Sequence, residues 1–188
     1  MRTHHRVLVA TTLALLGLGV SSALAQRPQE RRGFWFGFGL GYGSLGCEDC
    51  ESRTGSGSGY LKLGGTVSPS ILLGFEANGW AKTEDDVTFT MGAATAVVYF
   101  YPVSAKGFHL KGGLGLATAD FSTEVGQVTV SYDDADVGGM LGLGWDFRIG
   151  RNVSLVPFTS IFGGGIRGPN GNKGTFNVWQ LGVGLTVH

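Results

Sequence analysis

Proline, cysteine and charge are all sparse in this chain: five prolines, two cysteines and 15% charged residues in 188 positions. An ordinary soluble domain carries about 25% charge, so a conventional hydrated surface is not expected. Basic and acidic residues balance at 14 each, which leaves no positive field to attract nucleic acid. Beyond residue 25 no apolar run approaches the roughly 20 residues that a membrane-spanning helix needs. Glycine is abundant instead, with 34 residues and no G-X-Y repeat, which excludes collagen. Glycine weakens helices and soluble strands alike. Something in the fold must therefore favour small residues.

The first 25 residues read as a secretory leader. Arg2 and Arg6 form a positive start, "VLVATTLALLGLGV" a short apolar core, and "ALA" at 23–25 a small-residue cleavage site. Residues 26–32, "QRPQERR", are polar and aperiodic and read as a short tether.

From residue 33 onward one pattern recurs eight times. In "GFWFGFGLGYGS" the residues Phe34, Phe36, Phe38, Leu40 and Tyr42 hold every even position, while glycine holds most odd ones and Trp35 intrudes. Leu61, Leu63 and Val67 alternate with Tyr60, Lys62, Gly64 and Thr66; Ile71, Leu73, Phe75 and Ala77 alternate with Gly74, Glu76 and Asn78. A fourth run sets Phe89, Met91, Val97, Tyr99 and Tyr101 against Thr88, Thr90, Gly92, Ala94 and Ala96. The fifth opposes Phe108, Leu110, Leu114 and Leu116 to His109, Lys111, Gly113, Gly115 and Ala117. In the sixth, Val137, Leu141, Leu143, Trp145, Phe147 and Ile149 face away from Asp136, Gly138, Gly142, Gly144, Asp146 and Arg148. The seventh is less regular, with Val156, Phe158 and Phe162 sharing a parity with Ser154 and Ser160; the eighth opposes Trp179, Leu181, Val183, Leu185 and Val187 to Gln180, Gly182, Gly184 and Thr186. Period two sustained in this way means strands.

Most runs reach about 9 to 11 residues, the length of a tilted strand crossing a bilayer. The connections 68–70, 102–107 and 150–152 are turn-sized, whereas 45–58, 120–135 and 163–175 are polar and Gly-rich and read as long loops. Short turns at one end and long loops at the other describe an outer-membrane barrel. A soluble lipocalin-like barrel would turn the bulky row inward, yet it could not hydrate an outside covered with glycine. The bulky row therefore faces lipid, including Phe89 to Tyr101 of the fourth run, and small residues fill a narrow lumen. Phe34, Tyr99, Tyr101 and Phe108 at the short-turn end, with Tyr42 and Trp179 at the other, fit aromatic girdles.

The ending "QLGVGLTVH" resembles the C-terminal insertion signal of outer-membrane barrels, with Gln180, Gly182, Leu185 and Val187 in its places. With the leader and eight runs, residues 33–188 resemble the small OmpA/OmpX-type group. That resemblance implies an all-β, eight-stranded, antiparallel up-and-down transmembrane β-barrel. It implies both barrel termini on the periplasmic side, assembly machinery that reads the last strand, surrounding lipid that includes lipopolysaccharide, and a monomer. Such barrels host unrelated functions.

Charged groups on the lumen parity are Lys62, Glu76, His109, Lys111, Asp136, Asp146 and Arg148. Charges in a narrow interior need partners, so a salt-bridged plug is expected, with a proton or ion path as the alternative. Cys47 and Cys50 in "GCEDCE" suit a disulfide in an oxidising compartment, against a metal site or free thiols. Acidic groups in the loops read as a solvated rim or as holders of divalent cations near lipopolysaccharide phosphates, and Arg167 and Lys173 could touch anionic lipid heads. "GYGSLG" spells G-x-G-x-x-G, but no helix can follow it. No catalytic set, metal site or cofactor emerges. The expected function is non-enzymatic, structural or surface-interacting through long loops. An outer-membrane lipid hydrolase and a small pore or lipocalin-like carrier are the alternatives.

Overall fold

The computed structural model describes residues 31–48, 50–84, 87–125, 128–167 and 173–188. The leader and most of the tether therefore lie outside the described residues. The strands are β1 (Phe34–Cys47), β2 (Thr54–Ser68), β3 (Ile71–Glu84), β4 (Val87–Phe100), β5 (Phe108–Val125), β6 (Val128–Trp145), β7 (Phe147–Arg148), β8 (Val153–Arg167) and β9 (Lys173–Val187). Every pairing is antiparallel, in the order β6-β5-β4-β3-β2-β1-β9-β8-β7. The two-residue β7 prolongs β6 past Asp146, and a β6–β8 pairing closes the sheet on itself, so the barrel has eight staves.

Each hairpin pairs neighbours in sequence, and β1 pairs β9, so both chain ends meet at one rim, here the terminal rim. The opposite end is the distal rim. Outward rows match the bulky row of the sequence on β1, β2, β3, β5, β6 and β9, where Phe34, Leu40, Leu61, Phe75, Leu114, Val137 and Leu181 stand exposed.

On β4 the expected facing is inverted. Met91, Val97, Tyr99 and Tyr101 are buried in the interior, whereas Val98 and Phe100 face out. The stretch "AVVYFY" is apolar on both parities, so alternation carries no sign there. Register does: Thr95 lies opposite Glu76, and Tyr99 opposite Lys111. Directly opposed residues share a face. Tyr99 and Tyr101 thus leave the expected girdle, and Trp145 and Phe147 stand exposed at that rim. The irregular β8 also turns Val156, Phe158 and Phe162 inward.

The expected long loops are largely strand. β1 runs to Cys47 and β2 starts at Thr54, while β5 and β6 reach 18 residues each. At roughly 3.3 Å per residue such strands span about 60 Å, well beyond a hydrocarbon core of about 30 Å even when tilted. A ladder that runs past the hydrocarbon core need not keep an apolar row against lipid, so hydrophobic alternation is not required there while backbone pairing continues.

Not every glycine makes room inside. Gly57, Gly65 and Gly79 face outward with open space where a Cβ would stand.

Candidate functional site

The interior has two layers. Towards the terminal rim, an eight-strand barrel is narrow enough for side chains from opposite walls to meet. Lys62 on β2 lies directly opposite Glu76 on β3, yet Glu76 reaches past it. The Lys111 ammonium of β5 donates to Glu76 Oε1 at 2.5 Å, and the Tyr99 hydroxyl donates to Oε2. Lys62 instead rests over aromatic rings, with Nζ 4.9 Å from the Tyr99 centroid, 5.5 Å from Tyr60 and 5.9 Å from Trp35. Such contacts with desolvated cations contribute up to about 2 kcal/mol. Lys111 also lies 4.9 Å from the Tyr60 centroid and 5.6 Å from Phe158.

A second carboxylate sits in the terminal mouth. Asp146 accepts from the Tyr101 hydroxyl at 2.9 Å, and His109 Nδ1 stands 3.4 Å from its other oxygen. Arg31 completes the group. Its Nη1 donates to the Ser104 carbonyl at 2.8 Å, and its Nη2 to the Lys106 carbonyl at 2.9 Å and to Asp146 at 3.4 Å. The guanidinium carbon lies 3.5 Å from the Tyr101 ring centroid. Gly33, with φ of 75°, turns the chain from this mouth into β1, and its carbonyl accepts from Thr66 N at 2.9 Å.

The distal layer is apolar. Met91, Ala93, Ala117, Ala119, Met140, Phe162, Phe176 and Val178 are buried together, and Leu45, Phe89 and Ile166 pack against them. Between the layers Gln180 accepts from Ser160 Oγ at 3.0 Å and donates to the Gly59 carbonyl at 3.3 Å. A polar lumen was expected; among the described residues the charged groups gather in its terminal half and the distal half is mostly apolar. The cause is local: inward positions on distal β4, β5, β8 and β9 hold Met, Ala, Phe and Val.

Of the lumen residues expected from sequence, Lys62, Glu76, His109, Lys111 and Asp146 are buried and grouped in this polar layer. Asp136 and Arg148 are half-buried and lie apart from it. Asp136 accepts from Val137 N at 2.7 Å near the distal rim, and Arg148 donates to the Arg151 carbonyl at 2.7 Å at the terminal rim. Gln180 is buried and inward, Gly182 is inward against β1, and Leu185 and Val187 lie on the outer row. Cys47 and Cys50 form a disulfide in the β1–β2 connection, with Cα atoms 5.1 Å apart. Among the described residues no cluster of His, Cys, Asp or Glu is arranged to hold a metal. Sequence reasoning missed Arg31, Tyr99 and Tyr101. Arg31 sits in an aperiodic stretch, and its partner is 115 positions away.

At the distal rim β6 outruns its neighbour. The β6–β8 ladder ends at Gly138↔Gly164, although β6 begins at Val128 and β8 continues to Arg167. Beyond the ladder, Arg167 N donates to the Asp134 carboxylate at 2.5 Å. Among the described residues, β6 above Gly138 pairs only with β5. On the outer row Arg167 faces Lys173 across β8–β9. Arg53 lies over β1 and β9, donating to Ser44 Oγ at 3.0 Å and Asn177 Oδ1 at 2.8 Å. Tyr42 and Trp179 stand exposed beneath it.

Comparison with known proteins adds a family. The family model described as "Outer membrane protein beta-barrel domain" matches residues 11–186. The fold is similar to that of Ail, the attachment invasion locus protein of Yersinia pestis. The TM-score is 0.61 at 14% identity, over 82% of this chain and 99% of that one. It is also similar to Neisserial surface protein A, with a TM-score of 0.60 at 12% identity over 85% and 99% of the two chains. A further Ail structure, in complex with the heparin analogue sucrose octasulfate, has a TM-score of 0.58 at 15% identity over 82% and 99%. No curated protein matches the chain.

Proposed function

Because the chain belongs to the outer-membrane protein β-barrel domain family, and so to the bacterial outer membrane, we propose that it is a sealed barrel that works by surface contact. The observation that carries this reading is the edge of β6 above Gly138, which among the described residues has no ladder partner other than β5. An unpaired edge offers backbone donors and acceptors to an incoming strand. Asp134 and Asp136 beside it favour a partner strand rich in basic residues. The β5–β6 hairpin takes the place of the long loops expected from sequence.

Asp120 and Asp133 are opposed across β5–β6, so a two-residue Asn-Gly turn can replace residues 121–132. Bacteria expressing the chain are expected to adhere to a protein-coated surface or to one another. The shortened variant should lose that adhesion and still change gel mobility on boiling, as a folded barrel does. Adhesion that survives shortening would remove the hairpin from the reading.

The same reading places the termini on the periplasmic side after cleavage behind Ala25, with the β9 sequence through Gln180, Gly182, Leu185 and Val187 presented to the assembly machinery. The distal rim then lies in the outer leaflet. Arg53, Lys173 and Arg167 above Tyr42 and Trp179 suit phosphate groups of lipopolysaccharide, since basic and amphipathic aromatic residues both favour the headgroup level. Replacing Arg53 and Lys173 together by glutamate should reduce the lipopolysaccharide that stays bound through detergent purification. Equal retention would exclude the strip as its contact. No enzymatic step enters this proposal: His109 points into the interior against Asp146, away from lipid.

A further inference from the structure

Five observations meet in the terminal mouth. Arg31 is 3% exposed although it precedes β1 and belongs to no strand. Two backbone carbonyls, from Ser104 and Lys106 in the β4–β5 turn, point at its two terminal nitrogens. An aromatic face, Tyr101, lies flat enough beneath it to bring the guanidinium carbon within 3.5 Å of the centroid. A carboxylate, Asp146, closes the third side and is itself held by Tyr101 and His109. The β6 register carries on through Asp146 into β7, with Asp146 N–H donating to the Gly107 carbonyl at 3.0 Å and Phe147 and Arg148 paired with Leu155 and Ser154, which holds the Asp146 side chain on the inward row.

We propose that this mouth is a guanidinium-binding pocket which Arg31 fills in cis, as an exchangeable stopper at the terminal end of the barrel. The chemistry is specific to guanidinium. A planar, weakly hydrated cation stacks on an aromatic ring while its edge donates in several directions at once, and a compact ammonium cannot do both. The occupant comes from the chain's own N-terminal segment, so its local concentration is high and the pocket is filled without large affinity. Asp146 faces the mouth because alternation along β6 is kept through it, on the same inward row as Met140 and Gly144. Gly33 supplies the left-handed turn that brings the chain back out to β1. An empty pocket would leave Asp146 buried with one counter-cation fewer, a strongly unfavourable state.

Two measurements test this. In the native protein, phenylglyoxal should modify the exposed Arg32 and Arg151 and spare Arg31, as read by mass spectrometry. Modification of Arg31 as fast as Arg32 would overturn the proposal. In Arg31→Met, the temperature at which the barrel loses its fast-migrating form should fall. Added ethylguanidinium should restore it saturably, while ethylammonium should not. No fall, no rescue, or equal rescue by ethylammonium would each overturn it. If Arg31→Met does not fold, the phenylglyoxal pattern of the native chain still decides.

Discussion

Replacing Glu76 by glutamine is expected to destabilise the barrel by about 3–5 kcal/mol, the cost of leaving a buried charge unpaired. Glu76 is 1% exposed. It is the ion-pair partner of Lys111 and faces Lys62 across the β2–β3 ladder. The amide keeps the size and can still accept from Tyr99, so the loss isolates charge. The measurement is the urea midpoint of the folded form, followed by tryptophan fluorescence, since Trp35 lies over the same group. A companion variant sharpens it. Changing Glu76 to leucine and Lys111 to methionine together removes both ends of the pair, and is expected to cost far less than Glu76→Gln alone. A midpoint for Glu76→Gln within about 1 kcal/mol of the native chain would mean that water reaches the polar layer. The sealed interior would then be wrong.

The second large effect concerns which glycines matter. Gly41→Leu should abolish the folded form, whereas Gly57→Leu should leave it unchanged. A Cβ on Gly41 would meet the Leu181 carbonyl and Gly182 Cα across the β1–β9 ladder, which is backbone and cannot step aside. A Cβ on Gly57 meets nothing and points outward. The readout is again the mobility difference between unheated and boiled samples. If both variants fold, crowding across the first and last strands does not limit side-chain size there. If neither folds, the outward glycine has a role that packing does not explain.

How much could be seen in the sequence depended on contrast between the two rows of each strand. In β1 and β9 the bulky residues alternate with glycine or small groups, so strand, facing and closure could all be inferred from residues 34–42 and 179–187. In β4 the inner row carries Met91, Val97 and Tyr99 while the outer carries Val98 and Phe100, so the strand was legible and its facing was not. The strand extensions past residues 117 and 135 were hidden for another reason. Alternation reports a boundary between oil and water, and above the membrane there is none. The polar layer was recognisable as a set of charges on the lumen parity, because each sits between apolar neighbours. Its pairing was not recognisable. Glu76 passes over its cross-strand neighbour Lys62 to reach Lys111, a choice made by barrel curvature and by Tyr99. Arg31 left no trace of its place, since a single inserted residue has no period.

The pairing of Phe36 with Val187 has a consequence in time. The first strand to be made waits for the last, and almost the whole length of the chain separates the two halves of the final ladder. Such distant contacts make folding slow, and until they form the growing sheet carries two raw edges that can capture other chains. No shorter product can relieve this by closing early, because each inner strand already has both neighbours assigned. The molecule is therefore committed to a late, single act of completion. Its safety before that moment depends on being kept apart from its own kind.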